Sequence, residues 1–457
     1  MVRQRRIGTR TETPNFRLGK VELTADATLR VEYVDNVDQT SIDPTGDFLI
    51  RPELGLRAAW PITQLNTLEL RAAFGYTKYL DHPQLDSQSL TIAPDSALKF
   101  TLYTGDIRIE FQDRFSYQTE TSNVSSLNGV ASLPRFTNTA GVNVLWDLND
   151  VVSTLGYNHY NFITLGSAVD SQGNSQPNLS QLDHSTDQVS ASSSWKLNAS
   201  TLLGLEGTVS SSAYPDAPQS DYTAFSAGPQ LDIQLTRYSH MLLAAGYKGY
   251  SFQETEVPML TQTVLIDPGT PTTIRETPVA GETRLVGTKN KGLQVRQPLT
   301  IRREVIPGRS PKTETRVVTP PTSDAPTGGY YVNLALVHRL NRYYSDRLEV
   351  GHEDQVDSFS GRTETNYVRY SSSWVFNRFC TVSLGLSVED IHQAAGNASR
   401  AVTQADYRYF SGSLGTSYQL TRHVNLSIAY QHTQKLSSET AQNYSQNRLS
   451  LGVSYLF

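Results

Sequence analysis

Charged side chains recur at every second position in several stretches of this chain, a spacing that suits work on a dissolved molecule. In residues 21–35, Glu22, Asp26, Arg30 and Glu32 alternate with Leu23, Ala25, Ala27, Leu29, Val31 and Tyr33. Farther on, Glu69 and Arg71 alternate with Leu68, Leu70 and Ala72. Side chains two apart share one face of an extended strand, so each stretch would have a charged face and an apolar face. The same parity groups Arg57, Arg108, Glu110, Arg114, Glu349, Arg369 and Arg448 with the charged set. Carboxylates and guanidinium groups along a wet passage would set a transverse field and orient polar solutes. Near-balanced signs fit a weakly discriminating path for sugars, oligosaccharides or a hydrated polymer. Paired with one another, the same groups would instead stiffen the wall.

No covalent chemistry is expected. The nine histidines are scattered, and neither a His-Glu-x-x-His metal motif nor a Gly-x-Ser-x-Gly nucleophile elbow occurs. The chain therefore reads as a non-enzyme without cofactor or metal. His352, Glu353 and Asp354 are adjacent, but alternation divides them between two faces. Asp35, Asp38, Asp43 and Asp47 offer oxygen ligands without the order of an EF-hand, and turn chemistry accounts for them equally well. Cys380 is the only cysteine, which excludes an internal disulfide or thiolate cluster; it reads as a lone buried or lipid-facing thiol. A net charge of −5 and a pI near 6.0 argue against nucleic acid as a partner.

The elements that would hold the charged rows are strands. Of 457 residues only 38% are hydrophobic, and mean hydropathy is −0.40, yet there are 24 Tyr and 15 Phe. No run approaches the roughly 18 apolar residues of a membrane-spanning helix, so a membrane role falls to strands of about 9 to 11 residues. Such strands look polar on average because only alternate residues meet lipid. A turn-like phrase closes many of them: Leu148-Asn149-Asp150, Leu197-Asn198-Ala199, Leu235-Thr236-Arg237, Leu340-Asn341-Arg342, Phe376-Asn377-Arg378 and Leu420-Thr421-Arg422. Two residues before the Leu or Phe stand Trp146, Trp195, Ile233, His338, Trp374 and Tyr418, and Trp60 precedes a similar turn at Pro61. All four tryptophans thus sit at one end on one face, as an interfacial aromatic girdle requires.

Between the short turns the connections are long and polar, at 35–47, 81–88, 119–133, 166–183, 214–221, 252–327, 358–366, 394–405 and 437–442. With a further short turn at Thr104-Gly105, short and long alternate throughout. The expectation is an all-β, antiparallel up-and-down transmembrane barrel of about eighteen strands (roughly 16–18), with periplasmic turns and long extracellular loops. Residues 1–18 read as a periplasmic tail and 19–457 as one barrel. No apolar segment follows Met1-Val2-Arg3-Gln4-Arg5-Arg6, so on the barrel reading either a secretory leader has been removed or the natural start lies elsewhere. The facing of the strand in 151–162 is ambiguous.

Residues 253–327 read as an extracellular β-hairpin insertion. Turn signals at Asp267-Pro268-Gly269, Lys289-Asn290-Lys291-Gly292 and Pro307-Gly308-Arg309 predict two or three hairpins, with 300–306 facing 313–318. About ten basic and about seven acidic residues give a mild positive excess, suited to anionic sugar or lipopolysaccharide. A solvated extension without a ligand explains it as well.

The chain's last residues, Ser450-Leu451-Gly452-Val453-Ser454-Tyr455-Leu456-Phe457, resemble the C-terminal β-signal of Gram-negative outer-membrane proteins through Ser450, Gly452, Tyr455 and Phe457. That resemblance implies insertion by the barrel-assembly machinery into the bacterial outer membrane, among lipid and lipopolysaccharide. A second resemblance covers about the first 75 residues, through Thr28-Leu29-Arg30-Val31-Glu32-Tyr33-Val34-Asp35-Asn36-Val37 and Gly46-Asp47-Phe48-Leu49-Ile50-Arg51-Pro52-Glu53-Leu54-Gly55-Leu56. This is similar to the start of β-barrel porins associated with exopolysaccharide production, and implies polysaccharide or export components as partners. Three functions stay open: a passive channel or polysaccharide conduit, a structural or surface-interaction barrel with a plugged lumen, and a soluble secreted all-β protein.

Overall fold

The computed structural model describes residues 16–87, 89–120, 132–169, 180–217, 220–252, 327–357, 361–393, 406–438 and 442–457, and strand backbone between 260 and 318. It comprises two units, Met1–Thr255 with Asp324–Phe457, and Glu256–Ser323. In the first unit the long strands are β1 (Val21–Val34), β2 (Asp47–Pro61), β3 (Thr67–Gly75), β4 (Ala97–Thr104), β5 (Ile107–Glu120), β6 (Ser132–Asp147), β7 (Val151–Thr164), β8 (His184–Asn198) and β9 (Thr201–Ala213). They continue as β10 (Tyr222–Gln234), β11 (Ser239–Phe252), β12 (Thr327–His338), β13 (Tyr344–Asp357), β14 (Gly361–Val375), β15 (Cys380–Gln393), β16 (Tyr407–Gln419), β17 (Val424–Ser437) and β18 (Tyr444–Leu456). Three short segments, Phe16–Leu18, Lys78–Tyr79 and Thr91–Ile92, complete a 21-stranded sheet, leaving 18 wall strands.

Each wall strand pairs antiparallel with its neighbours in sequence, and β11 pairs directly with β12 across the insertion. β18 pairs with β1, from Asp26 opposite Leu456 to Val34 opposite Arg448. The sheet is therefore closed and leaves no edge to recruit another strand. Leu29, Val31 and Tyr33 on β1 are exposed, as are Leu449, Leu451, Val453 and Tyr455 on β18. Rows of exposed large apolar side chains around a closed wall are stable only where the surrounding medium is hydrocarbon.

The recurring turn phrase has a local cause. In most of these turns the Asn or Thr side chain accepts backbone N–H groups that follow: Asn341 Oδ1 takes those of Tyr343 and Tyr344 at 2.7 and 3.0 Å, and Asn377 Oδ1 those of Phe379 and Cys380 at 2.8 and 2.9 Å. Thr236 and Thr421 do the same through Oγ1. Asn149 and Gly105 occupy the left-handed region with φ of 68° and 58°, where a β-branched residue is strained. Asn149→Val is expected to cost about 1–2 kcal/mol in urea unfolding, with Asn149→Gly near neutral.

Several boundaries differ from expectation. Residues 361–366 belong to β14 rather than to a loop, and the β5–β6 connection narrows to 121–131, because Glu120 and Ser132 still pair across the ladder. β7 has a defined facing, with Leu155, Tyr157 and Ile163 exposed on its outer side. Residues 16–18 of the expected tail pair with the start of β1, and residues 1–15 lie outside the described residues.

The second unit is one nested hairpin rather than two or three. Leu260–Asp267 pairs with Lys312–Val318, Thr273–Ala280 with Leu299–Ile306, and Arg284–Thr288 with Lys291–Arg296. The turn signals at Asp267-Pro268-Gly269, Lys289-Asn290 and Pro307-Gly308-Arg309 fall at 268–272, 289–290 and 307–311, outside the described residues. Residues 299–306 pair with 273–280, not with a neighbouring segment of their own, so the expected facing of 300–306 with 313–318 is not formed.

Candidate functional site

The site is the inner wall. Glu22, Asp26, Arg30 and Glu32 alternate with the exposed outer row of β1, and cross-strand register carries their face around the barrel. Arg57 stands opposite Thr24 and Arg71, Glu69 opposite Ala59, and Arg108, Glu110 and Arg114 opposite Tyr103, Thr101 and Ala97. Glu349 faces Arg369 across β13 and β14, and Arg448 faces Val34. All the charged residues that parity selects thus lie on the inner face.

Many are paired. Glu22 meets Arg17 at 2.8 Å, Lys99 meets Glu110 at 2.9 Å, Arg71 meets Asp95 at 3.2 Å, and Arg369 meets Glu389 at 2.8 Å. Yet the side chains of Arg71 and Arg369 remain 47% and 44% exposed although they point into the barrel. A packed interior would bury them; a wall accessible on both faces contains water.

At the long-loop end the interior narrows. Val34 and Leu49 face inward and are buried against Val37, Tyr79 and Leu85, with Val169 packed on them. Val37 and Leu85 belong to the first two long connections and Val169 to the one after β7, so three loops converge over the inner face of β1 and β2. Asp47, fully buried, pins the second loop by accepting the N–H groups of Leu80, Asp81 and His82 at 3.2, 3.0 and 3.0 Å. Its role is turn chemistry. Of the other acids in that first connection, Asp35 bonds Asn447 and Asp43 is exposed.

Beside this apolar cap runs a chain of alternating charges. Arg448 lies 3.3 Å from Glu32, Glu32 lies 3.2 Å from Arg51, and Arg51 lies 2.5 Å from Glu120. Thr77 donates to Glu120 at 3.3 Å, and Arg135 donates to the Glu120 carbonyl at 2.6 Å. The Glu32 side chain is only 6% exposed, so these ions are held largely apart from water, where their mutual attraction is strong. Sequence reasoning selected Glu32 and Arg448 but missed Arg51, Glu53, Lys99, Glu120 and Arg135. Strand parity with Arg57 would have found Arg51 and Glu53. The proximity of Glu120 depends on the loop at 76–96, which no local pattern reveals.

On the outer face, Trp60, Trp146, Trp195, Trp374 and Tyr418 all sit exposed beside short turns. Cys380 shares that face, opposite Tyr418. At the C-terminus Ser450 and Gly452 face inward while Tyr455 and Phe457 face outward, and the Phe457 N–H donates to Ala25 at 3.1 Å. His352 stacks on Tyr330 at 4.2 Å, whereas Asp354 is buried in an ion pair with Arg362 at 2.5 Å. His352, Glu353 and Asp354 therefore do not converge, and no cluster of three His, Cys, Asp or Glu suited to a metal occurs among the described residues.

A closed antiparallel wall with an even strand number, an apolar exterior and a wet, charged interior decides the class. The chain forms a closed antiparallel β-barrel of the outer-membrane type. No protein-family model and no curated protein matches it. Among solved structures it is similar to Pseudomonas aeruginosa OccK5 (OpdH), at 11% identity and a TM-score of 0.44, over 95% of this chain and 98% of that one. Pseudomonas aeruginosa OccK2 (OpdF), solved in complex with glucuronate, matches at 11% identity and a TM-score of 0.42, over 95% and 98%. The outer-membrane expressed OmpT of Vibrio cholerae matches at 10% identity and a TM-score of 0.36, over 97% and 99%.

Proposed function

We propose that this barrel is a passive channel for small polar solutes, saccharides among them. The observation that carries the reading is the solvent exposure of inward-facing Arg71 and Arg369, since a barrel of about 18 strands leaves an aqueous channel unless it is plugged. The mixed charges would orient dipolar solutes without excluding either sign of ion. Lipopolysaccharide and the barrel-assembly machinery are the partners this reading requires. Passage of exopolysaccharide is the narrower version; the converging loops at the mouth favour short saccharides over a continuous polymer. Those same loops are the one feature that favours the alternative of a plugged, surface-interacting barrel.

Planar-bilayer recording separates the two. Steady single-channel conductance in KCl is expected, and its absence in correctly folded protein would exclude the channel. Arg57→Glu with Arg71→Glu changes the lumen charge by four units at cross-strand neighbours. At about 10 Å each unit contributes about 0.4 kcal/mol in water. Screening leaves about a threefold enrichment of cations and a matching depletion of anions near 0.1 M salt, roughly an eightfold change in their permeability ratio, and a larger one well below it. An unchanged reversal potential would remove these residues from the ion path.

A further inference from the structure

We propose that a recess in the inner wall between β9 and β13 is a subsite for a neutral pyranose ring, a reading that rests on the lumen being a solute path. The recess has a volume of about 330 Å³, the lower end of the range for small-molecule sites. It exists because consecutive strands place small residues inward: Thr208, Ala224, Ser226 and Ala244 form its floor. The Thr208 and Ser226 hydroxyls bond each other at 2.6 Å, leaving spare acceptor capacity on a polar floor.

Its edges are chemically stronger. Tyr331 on β12 donates its hydroxyl to Glu206 Oε1 on β9 at 3.0 Å, so the phenol lies across the wall rather than standing off it. Gly246 makes this geometry available, because a Cβ there would come within 2.6 Å of the Tyr331 ring. The ring thus rests on bare backbone with its other face toward the recess. Tyr367 provides the contrast: Arg369 covers its ring at 4.2 Å. No cation or aromatic ring covers Tyr331 among the described residues.

Lys248 and Glu353 complete the edge. Among the described residues neither forms an ion pair or a side-chain hydrogen bond, whereas many other inward charges are matched. An ammonium offers only donors and a carboxylate only acceptors, while a sugar hydroxyl supplies both and meets each with a charge-assisted bond. Two carboxylates against one ammonium oppose an anionic solute, and Lys248 opposes a cationic one. The C–H face of a pyranose on the open phenol ring adds apolar contact. A neutral sugar uses every group present without a charge mismatch.

The test is isothermal titration of maltotriose into the full chain folded in detergent, with KCl conductance measured on the same preparation. Tyr331→Ala and Lys248→Met are each expected to weaken maltotriose binding about tenfold, the loss of roughly one charge-assisted bond or stacking contact. Tyr331→Phe, which keeps the ring and is the safer variant for folding, should weaken it less than Tyr331→Ala. Equal maltotriose affinity in parent, Tyr331→Phe and Lys248→Met would overturn the subsite, as would Lys248-dependent binding of L-alanine in its place. Conductance without variant-sensitive maltotriose heat sinks the recess alone. Variant-sensitive heat without conductance keeps the recess and sinks the channel.

Discussion

Leu414→Arg is expected to lower unfolding stability by about 2–4 kcal/mol, the depth-dependent cost of arginine on the lipid face near the bilayer midplane. Ser413→Arg, one residue away, is expected to change it by roughly 0.5 kcal/mol or less. Leu414 lies four positions from Tyr418 at the short-turn rim. At about 3.3 Å per residue and a tilt near 40°, that is about 10 Å of depth in an apolar band about 25 Å tall. Leu414 is 50% exposed on the outside, opposite Leu384 and Tyr430. Ser413 faces inward opposite Gly385, which leaves a new side chain room to reach the lumen. Urea titration of both variants refolded in lipid vesicles reads the difference directly. Equal penalties at the two positions would mean that the wall does not separate hydrocarbon from water, and the porin-like reading would fall with it.

What the sequence disclosed follows from which interactions are local. Period-two alternation places Leu29 and Arg30 on opposite faces without knowledge of the rest of the chain, and the Asn or Thr of short turns such as those at Asn341 and Thr421 bonds within three residues of itself. Strand order, facing and the Trp-marked rim were legible for that reason. The constriction was not, because it depends on distant segments: Val169 packs against the cluster that holds Val34 and Leu49, and Glu120 meets Arg51. The same limit explains the hairpin. Strand 299–306 pairs with 273–280 rather than with 312–318, a choice between distant segments that no local pattern reveals. Tyr331 escaped notice because its role depends on Gly246, a bare backbone position on another strand.

The buried charges at the mouth set the second large effect. Arg51→Met removes the guanidinium shared by Glu32 and Glu120, at 3.2 and 2.5 Å, and leaves two largely buried carboxylates. Breaking a buried pair from one side costs about 3–5 kcal/mol, because the stranded charge keeps its desolvation penalty. Arg448 remains 3.3 Å from Glu32 and 3.7 Å from Glu120, and some water reaches both, so about 3 kcal/mol, the lower end of that range, is the expected loss. Adding Glu120→Leu should restore much of it, since Glu32 then keeps Arg448 and no carboxylate is stranded. The double-mutant cycle isolates this coupling. The same single variant should raise channel conductance, because Thr77 and its loop are tied to the wall through Glu120, and an unmatched carboxylate would draw water beneath the apolar cap. If Arg51→Met is as mild as the exposed Arg71→Met, or if the second substitution makes matters worse, the charge chain does not hold the loops.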